Sequence, residues 1–157
     1  MSPIAPELFP LWLFLHVLGA VVAFGFGFTA PVIARQAMAD PQHIGFWLRA
    51  SKRVGDTILL PATLSMFVTG ILLVLSRMSG IERQAWMVIS LVLYFVALGL
   101  VFAVQRPTLR RLISATAAGG PPAPETLALA RKLKMTGYLL SLFTIVILFL
   151  MVVKPAF

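Results

Sequence analysis

Residues 10–34, PLWLFLHVLGAVVAFGFGFTAPVIA, decide the fold, because this stretch contains no Asp, Glu, Lys or Arg. A helix of about 20 apolar residues is long enough to cross the hydrocarbon core of a bilayer, where backbone polar groups must be satisfied internally. The preceding segment, MSPIAPELFP, has no basic residue, and the apolar run exceeds the roughly 7 to 15 residues of a signal-peptide core. We therefore expect a retained membrane anchor and not a cleaved signal peptide.

Three further apolar runs follow, at about 54–75, 86–105 and 136–153. Across the chain 60% of residues are hydrophobic and only 11% are charged, whereas soluble domains are roughly one quarter charged. These runs predict an all-α polytopic membrane protein, a single four-transmembrane-helix bundle over residues 1–157. Within the second run, Asp56 indicates that the first turns lie among lipid headgroups, and Pro61 predicts a bend in the helix axis.

The 13 Lys and Arg residues divide unequally between the two sides of such a bundle. Ten fall in the first and third loops, and three fall in the second loop and at the C-terminal end. The positive-inside rule then places both termini on the periplasmic side of a cytoplasmic membrane. A net charge of +8 would suggest nucleic acid in a soluble chain, but here the cations flank apolar runs and indicate contact with anionic lipid.

The third loop is long enough to contain structure of its own. The segments 108–117, TLRRLISATA, and 124–135, PETLALARKLKM, each read as helical and are separated by the breaker AGGPPAP at 118–124. We expect helices 3 and 4 to extend into the cytoplasm as a basic helical hairpin. Contact with lipid headgroups is the simplest role for this hairpin, and docking of another membrane subunit or a second copy is an alternative.

A histidine stands inside the first apolar run. His16 lies about six residues past Pro10, hence about 9 Å along the helix axis and inside the hydrocarbon. Ionisable residues at such a depth are rare, face the bundle interior and are functional-site candidates by default. On the same face Gly19, Ala23 and Gly27 recur every four residues, which favours either close helix packing or a flat wall for a planar ligand.

Two interpretations of this histidine remain open on the residues alone. In the first, His16 makes an interhelical hydrogen bond to Tyr94 or Thr69, worth about 1 kcal/mol. In the second, the neutral imidazole of His16 binds the iron of a haem held between facing helices. The chain has no cysteine, which excludes disulfides, iron–sulfur clusters, thiolate copper sites and covalently attached haem.

Other candidate ligands and partners are few. His43 belongs to the first loop, on the opposite side of the membrane, and cannot complete a bis-histidine site with His16. A second axial ligand would be a tyrosine, a lysine, one of three methionines, or absent; the methionines are Met66, Met87 and Met151. Three cations at the outer boundary could neutralise haem propionates or simply extend to the interface: these are Lys154, Arg77 and Arg83. At the opposite boundary, Arg53 and Asp56 are spaced to form an ion pair.

The segments FLHVLGAVV, KRVGDTILLPA and VVKPAF resemble the bacterial predicted integral membrane proteins of domain of unknown function 2269. That group is similar to the membrane domain of CopD copper-resistance proteins and to HemJ-type protoporphyrinogen oxidases. The resemblance to the HemJ type implies that His16 binds b-type haem, with Gly19 matching the glycine of its H-x-x-G pattern. It also implies a bacterial inner-membrane location and electron transfer or oxidation of a lipophilic or porphyrin-like substrate.

The chain departs from the HemJ pattern in helix 3, where Tyr94 is followed by Phe95 and not by histidine. The cofactor-binding set that we predict is His16, Gly19, Ala23, Tyr94 and Lys154, with His16 as the metal ligand. Five acidic residues leave little room for soluble-type acid–base catalysis, and whether the protein is an enzyme stays open. A non-enzymatic subunit of a larger membrane complex is the alternative function, and a copper-resistance-like protein comes third.

Overall fold

The computed structural model describes residues 6–39, 41–77, 84–117 and 123–155. Helix α1 spans Phe9–Ala39, between short 3₁₀ turns at Pro6–Leu8 and Pro41–His43. Five further helices follow it, and no strand occurs in these ranges: α2 (Ile44–Val54), α3 (Leu60–Arg77), α4 (Ala85–Leu100), α5 (Arg106–Ala117) and α6 (Pro124–Val153).

Two single π turns join these helices into longer rods. Gly55–Leu59 connects α2 to α3, and Val101–Gln105 connects α4 to α5. Each π turn is followed by a proline inside the next helix, Pro61 in α3 and Pro107 in α5. A proline lacks the N–H that an α-helix would use at that position, and π turns are a recognised way for a helix to absorb such a local disturbance. A π turn therefore directly precedes the segment with Pro61, where the bend of the helix axis stays a prediction, and a second π turn precedes Pro107, for which the sequence made no prediction.

Four helical rods in the described ranges are long and apolar enough to cross a membrane. Their apolar windows lie in Phe9–Phe26, Ile44–Ser76, Ala85–Ala117 and Pro124–Val153. The all-α, four-span architecture predicted from the sequence is confirmed. The rods are longer than the apolar runs: the second begins at Ile44 and the fourth at Pro124, because polar residues of the loops continue the helices.

The predicted hairpin between the third and fourth spans is also helical. α5 covers Arg106–Ala117, and Pro124 occupies the first turn of α6 after Ala123, which is extended with φ −64° and ψ 155°. The breaker segment at 118–122 lies outside the described residues. α5 packs on α6 and against α2, so these helical extensions stand together at one end of the bundle.

The interior of the bundle contains small polar groups beside a few apolar side chains, and most large apolar side chains are exposed. Thr69, Ser76 and Ser90 are buried, and their hydroxyls donate to the carbonyls of Ser65, Leu72 and Trp86 one turn earlier, each at 2.7 Å. Such bonds satisfy the hydroxyl within its own helix, which allows close helix approach without an interhelical partner. Large apolar side chains cover the outside, which suits a lipid environment and not water.

Candidate functional site

His16 is held against α3 by a hydrogen bond to the backbone. Its Nδ1 lies 2.8 Å from the Met66 carbonyl oxygen and 3.4 Å from the Thr69 hydroxyl oxygen. α1 packs more extensively on α3 than on any other helix, so the bond lies within the main interface of α1. The predicted interhelical bond of His16 therefore exists, with Thr69 as a distant contact and the Met66 carbonyl as the close partner.

This geometry fixes which ring nitrogen carries the proton. A carbonyl oxygen only accepts hydrogen bonds, so at 2.8 Å the His16 Nδ1 must donate to Met66. The Thr69 hydroxyl donates at 2.7 Å to the carbonyl of Ser65 and leaves its proton there. In the neutral ring the lone pair is then on Nε2, for which the described residues provide no hydrogen-bond partner.

Two glycines allow close contact between α1 and α3: Gly70 lies against the His16 ring, and Gly19 lies against the α3 backbone. A Cβ added to Gly70 would lie 3.1 Å from His16 Cε1, tighter than ordinary contact. A Cβ added to Gly19 would lie 3.2 Å from the Ala62 carbonyl oxygen and 3.3 Å from Met66 Cβ. Gly19 therefore packs against the backbone of α3, and the half-buried Ala23 follows it one turn along α1.

Tyr94 of α4 also binds α3. Its hydroxyl donates to the Thr63 carbonyl at 3.0 Å, and its ring stacks on Phe67 with 5.6 Å between centroids. The predicted bond between His16 and Tyr94 is wrong: both side chains bind α3, at carbonyls one turn apart. Segment 62–70 of α3 is consequently the strip on which α1 and α4 are both anchored.

Lys154 lies at the end of α6. It adopts a left-handed conformation with φ 48° and ψ 57°, and its N–H donates to the Leu150 carbonyl at 3.0 Å. Its Nζ sits 5.8 Å from the centre of the Trp86 ring, within range of a cation–π contact. Arg83, which was grouped with Lys154 on sequence grounds, lies outside the described residues, and the side chain of Arg77 is not described.

A second polar cluster joins the two π turns at the opposite end of the helices. Asp56, in the first π turn, accepts from Lys52 at 2.6 Å and from Arg106, which directly follows the second π turn. The predicted Arg53–Asp56 pair is wrong, since the acidic group faces Lys52 one full turn back and Arg106 on the neighbouring rod. Arg53 instead contributes its carbonyl, which accepts from Thr57 at 2.8 Å.

The surroundings of His16 suit its predicted role as an iron ligand. The surface at Gly19 does not suit its predicted role as a flat wall for the haem macrocycle. Iron-binding histidines commonly donate their other ring N–H to a carbonyl, which orients the ring and raises its basicity, and the bond to Met66 does this. The glycine stripe offers no flat surface to a macrocycle at Gly19, because α3 already occupies it. Among the described residues, no three His, Cys, Asp or Glu side chains cluster to form a metal site of their own.

The sequence analysis names Met66 as a possible thioether ligand but misses its backbone carbonyl, which accepts the hydrogen bond of His16. A carbonyl inside a helix has two lone pairs and can accept a second hydrogen bond where its surroundings are open. The available signal was Gly70, four residues later, because a missing side chain there leaves room for an imidazole. Side-chain patterns alone do not reveal which carbonyl is used.

No curated protein and no solved structure matches the chain. A family match covers residues 10–155 and therefore nearly all of the four spans. This match does not extend to HemJ-type or CopD proteins, and the resemblance to them stays a prediction. The chain belongs to the family described as predicted integral membrane protein (DUF2269).

Proposed function

We propose that this integral membrane protein binds b-type haem through His16 Nε2. The observation that supports the proposal is the hydrogen bond from His16 Nδ1 to the Met66 carbonyl, which leaves Nε2 as the nitrogen with a lone pair. Bound haem would supply one-electron redox chemistry, and we propose electron transfer or oxidation of a lipophilic or porphyrin-like substrate as the activity.

The protein's own residues would orient the ligand and restrict where the macrocycle lies. Met66 and Gly70 hold the imidazole from the α3 side through a hydrogen bond and a close contact. Gly19 is closed off by α3, so the macrocycle would lie outside the α1–α3 interface. Tyr94 fixes α4 on the same strip of α3, and Lys154 is the cation that we propose for the propionates.

The test is an optical spectrum of the full-length protein, purified in detergent from haem-replete cells. A Soret band that His16→Ala abolishes and His43→Ala preserves is the expected result. His43 is the matched control, because it is the only other histidine in the chain and lies beyond the opposite end of α1. Absence of a Soret band from the unmodified protein would reject the haem assignment.

A non-enzymatic accessory subunit remains the alternative function. The surfaces predicted for its partner contact are the stripe of small residues and the basic hairpin. Gly19 in that stripe packs on α3 within the chain, so the hairpin formed by α5 and the start of α6 is the surface left for a partner. We also propose that the protein lies in the bacterial inner membrane with both termini outside, on the strength of the loop charges.

A further inference from the structure

A basic cavity lies where the second π turn passes into α5. It has a volume of about 250 Å³ and is lined by Phe102, Arg106, Pro107 and Arg110. Phe102, Arg106 and Arg110 are spaced four residues apart, so they share one face of the rod. The cavity therefore has an aromatic side chain at its membrane end and two guanidinium groups beyond it.

Arg106 is fixed in place on two sides. Its guanidinium donates to the Asp56 carboxylate on the neighbouring rod and lies 5.2 Å from the centre of the Phe102 ring. An arginine that is already ordered loses less conformational entropy when it binds a further anion, and its planar group has five N–H donors. Arg106 is thus prepared to bind an oxyanion without rearrangement.

The charge around the cavity remains positive after the ion pairs are formed. Asp56 is shared between Lys52 and Arg106, while Arg110 is exposed and lines the cavity. One carboxylate therefore faces three cations. Excess positive charge in the 250 Å³ recess suits a phosphate group. Arg111 and Lys132 line a separate cavity of about 190 Å³ that shares only Pro107 with it.

We propose that the cavity at Arg106 and Arg110 binds the phosphate of an anionic phospholipid. Phe102 is 48% exposed on the outer surface, and the rod that bears it is one of the four membrane-crossing helices. An acyl chain of the lipid would continue from the cavity along this apolar surface, whereas inorganic phosphate would gain nothing from it. The proposal is independent of haem binding.

The test is native mass spectrometry of the full-length protein titrated with phosphatidylglycerol and with phosphatidylcholine of the same acyl chains. We expect phosphatidylglycerol to bind more tightly, and Arg110→Ala to weaken that binding about tenfold more than Arg111→Ala does. Arg111 is the matched control, because its substitution removes the same charge from the same helix but outside this cavity. Equal losses in the two variants, or equal binding of the two lipids, would overturn the proposal, as would displacement of the lipid by millimolar inorganic phosphate.

Asp56→Asn is a second test. Whether it weakens or strengthens phosphatidylglycerol binding distinguishes a site in which Asp56 positions Arg106 from attraction by net charge alone. If Asp56 positions Arg106, the substitution weakens phosphatidylglycerol binding severalfold although the protein becomes more positive. If only net charge matters, removal of a negative charge strengthens binding by up to about fivefold. Circular dichroism of each variant verifies that it is folded, and stronger binding by folded Asp56→Asn would contradict the proposal.

Discussion

His16 Nδ1 donates to the carbonyl of Met66 across 2.8 Å, and this bond joins α1 to α3 within the apolar part of the bundle. We predict that His16→Ala lowers the free energy of unfolding by about 1 to 2 kcal/mol, since interhelical hydrogen bonds in membranes are worth roughly 1 kcal/mol and the imidazole also fills space. Equilibrium unfolding of haem-free protein in detergent measures the loss without any contribution from bound ligand. An unchanged unfolding midpoint would show that the bond contributes nothing to stability.

Gly19 packs directly on the α3 backbone, with the Ala62 carbonyl oxygen 3.2 Å from where a Cβ would be. Gly19→Ala should therefore force α1 away from α3 and reduce stability by about 1 to 3 kcal/mol, as overpacking usually does. Gly25→Ala is the control on the same helix, because nothing lies within 4 Å of its Cβ position. It should be neutral or stabilise by up to about 1 kcal/mol through helix propensity. Thermal unfolding of both variants in one detergent makes the comparison, and equal effects would contradict the close packing.

Gly70→Ala tests the haem assignment without removing the histidine. The new methyl group would stand 3.1 Å from His16 Cε1, so the ring has to move by a few tenths of an ångström. If Nε2 binds iron, the Soret band should weaken or shift while the protein stays folded. Gly137→Ala on α6 is the matched control, because its Cβ position is open. A spectrum that Gly70→Ala leaves identical to the parent spectrum would argue against His16 as the ligand.

Tyr94→Phe separates positioning from direct contact with the cofactor. The hydroxyl already donates to the Thr63 carbonyl at 3.0 Å, and the stack of the ring on Phe67 survives the substitution. We expect a loss of about 0.6 kcal/mol in stability and no change in haem content. Haem content per protein is measured after purification from matched cultures. Loss of most of the haem would instead place the Tyr94 hydroxyl at the cofactor.

The parts of this fold that follow from side-chain chemistry could be predicted, and those that depend on the backbone could not. Continuous apolar runs predict membrane-spanning helices, because hydrocarbon offers no hydrogen-bond partners to the backbone and a helix satisfies its N–H and C=O groups internally. The Lys52 partner of Asp56 has the ordinary i,i+4 helical spacing, but its Arg106 partner lies on another rod and depends on how the backbones of the two rods pack. The partner of His16 was a carbonyl, a group that every residue has and no sequence pattern distinguishes.

The orientation of the bundle is the remaining prediction, and it depends on charge alone. Among the cations of the third loop, Arg110, Arg111 and Lys132 line cavities at one end of the helices, which is the end we assign to the cytoplasm. A reporter that is active only in the periplasm should therefore be active when fused after Phe157, and inactive when inserted at residues 119–121 between α5 and α6. The two fusions control for each other, because they lie on opposite sides of the final span. Activity at the inserted position and silence at the C-terminal one would reverse the topology, since an even number of spans keeps both termini on one side.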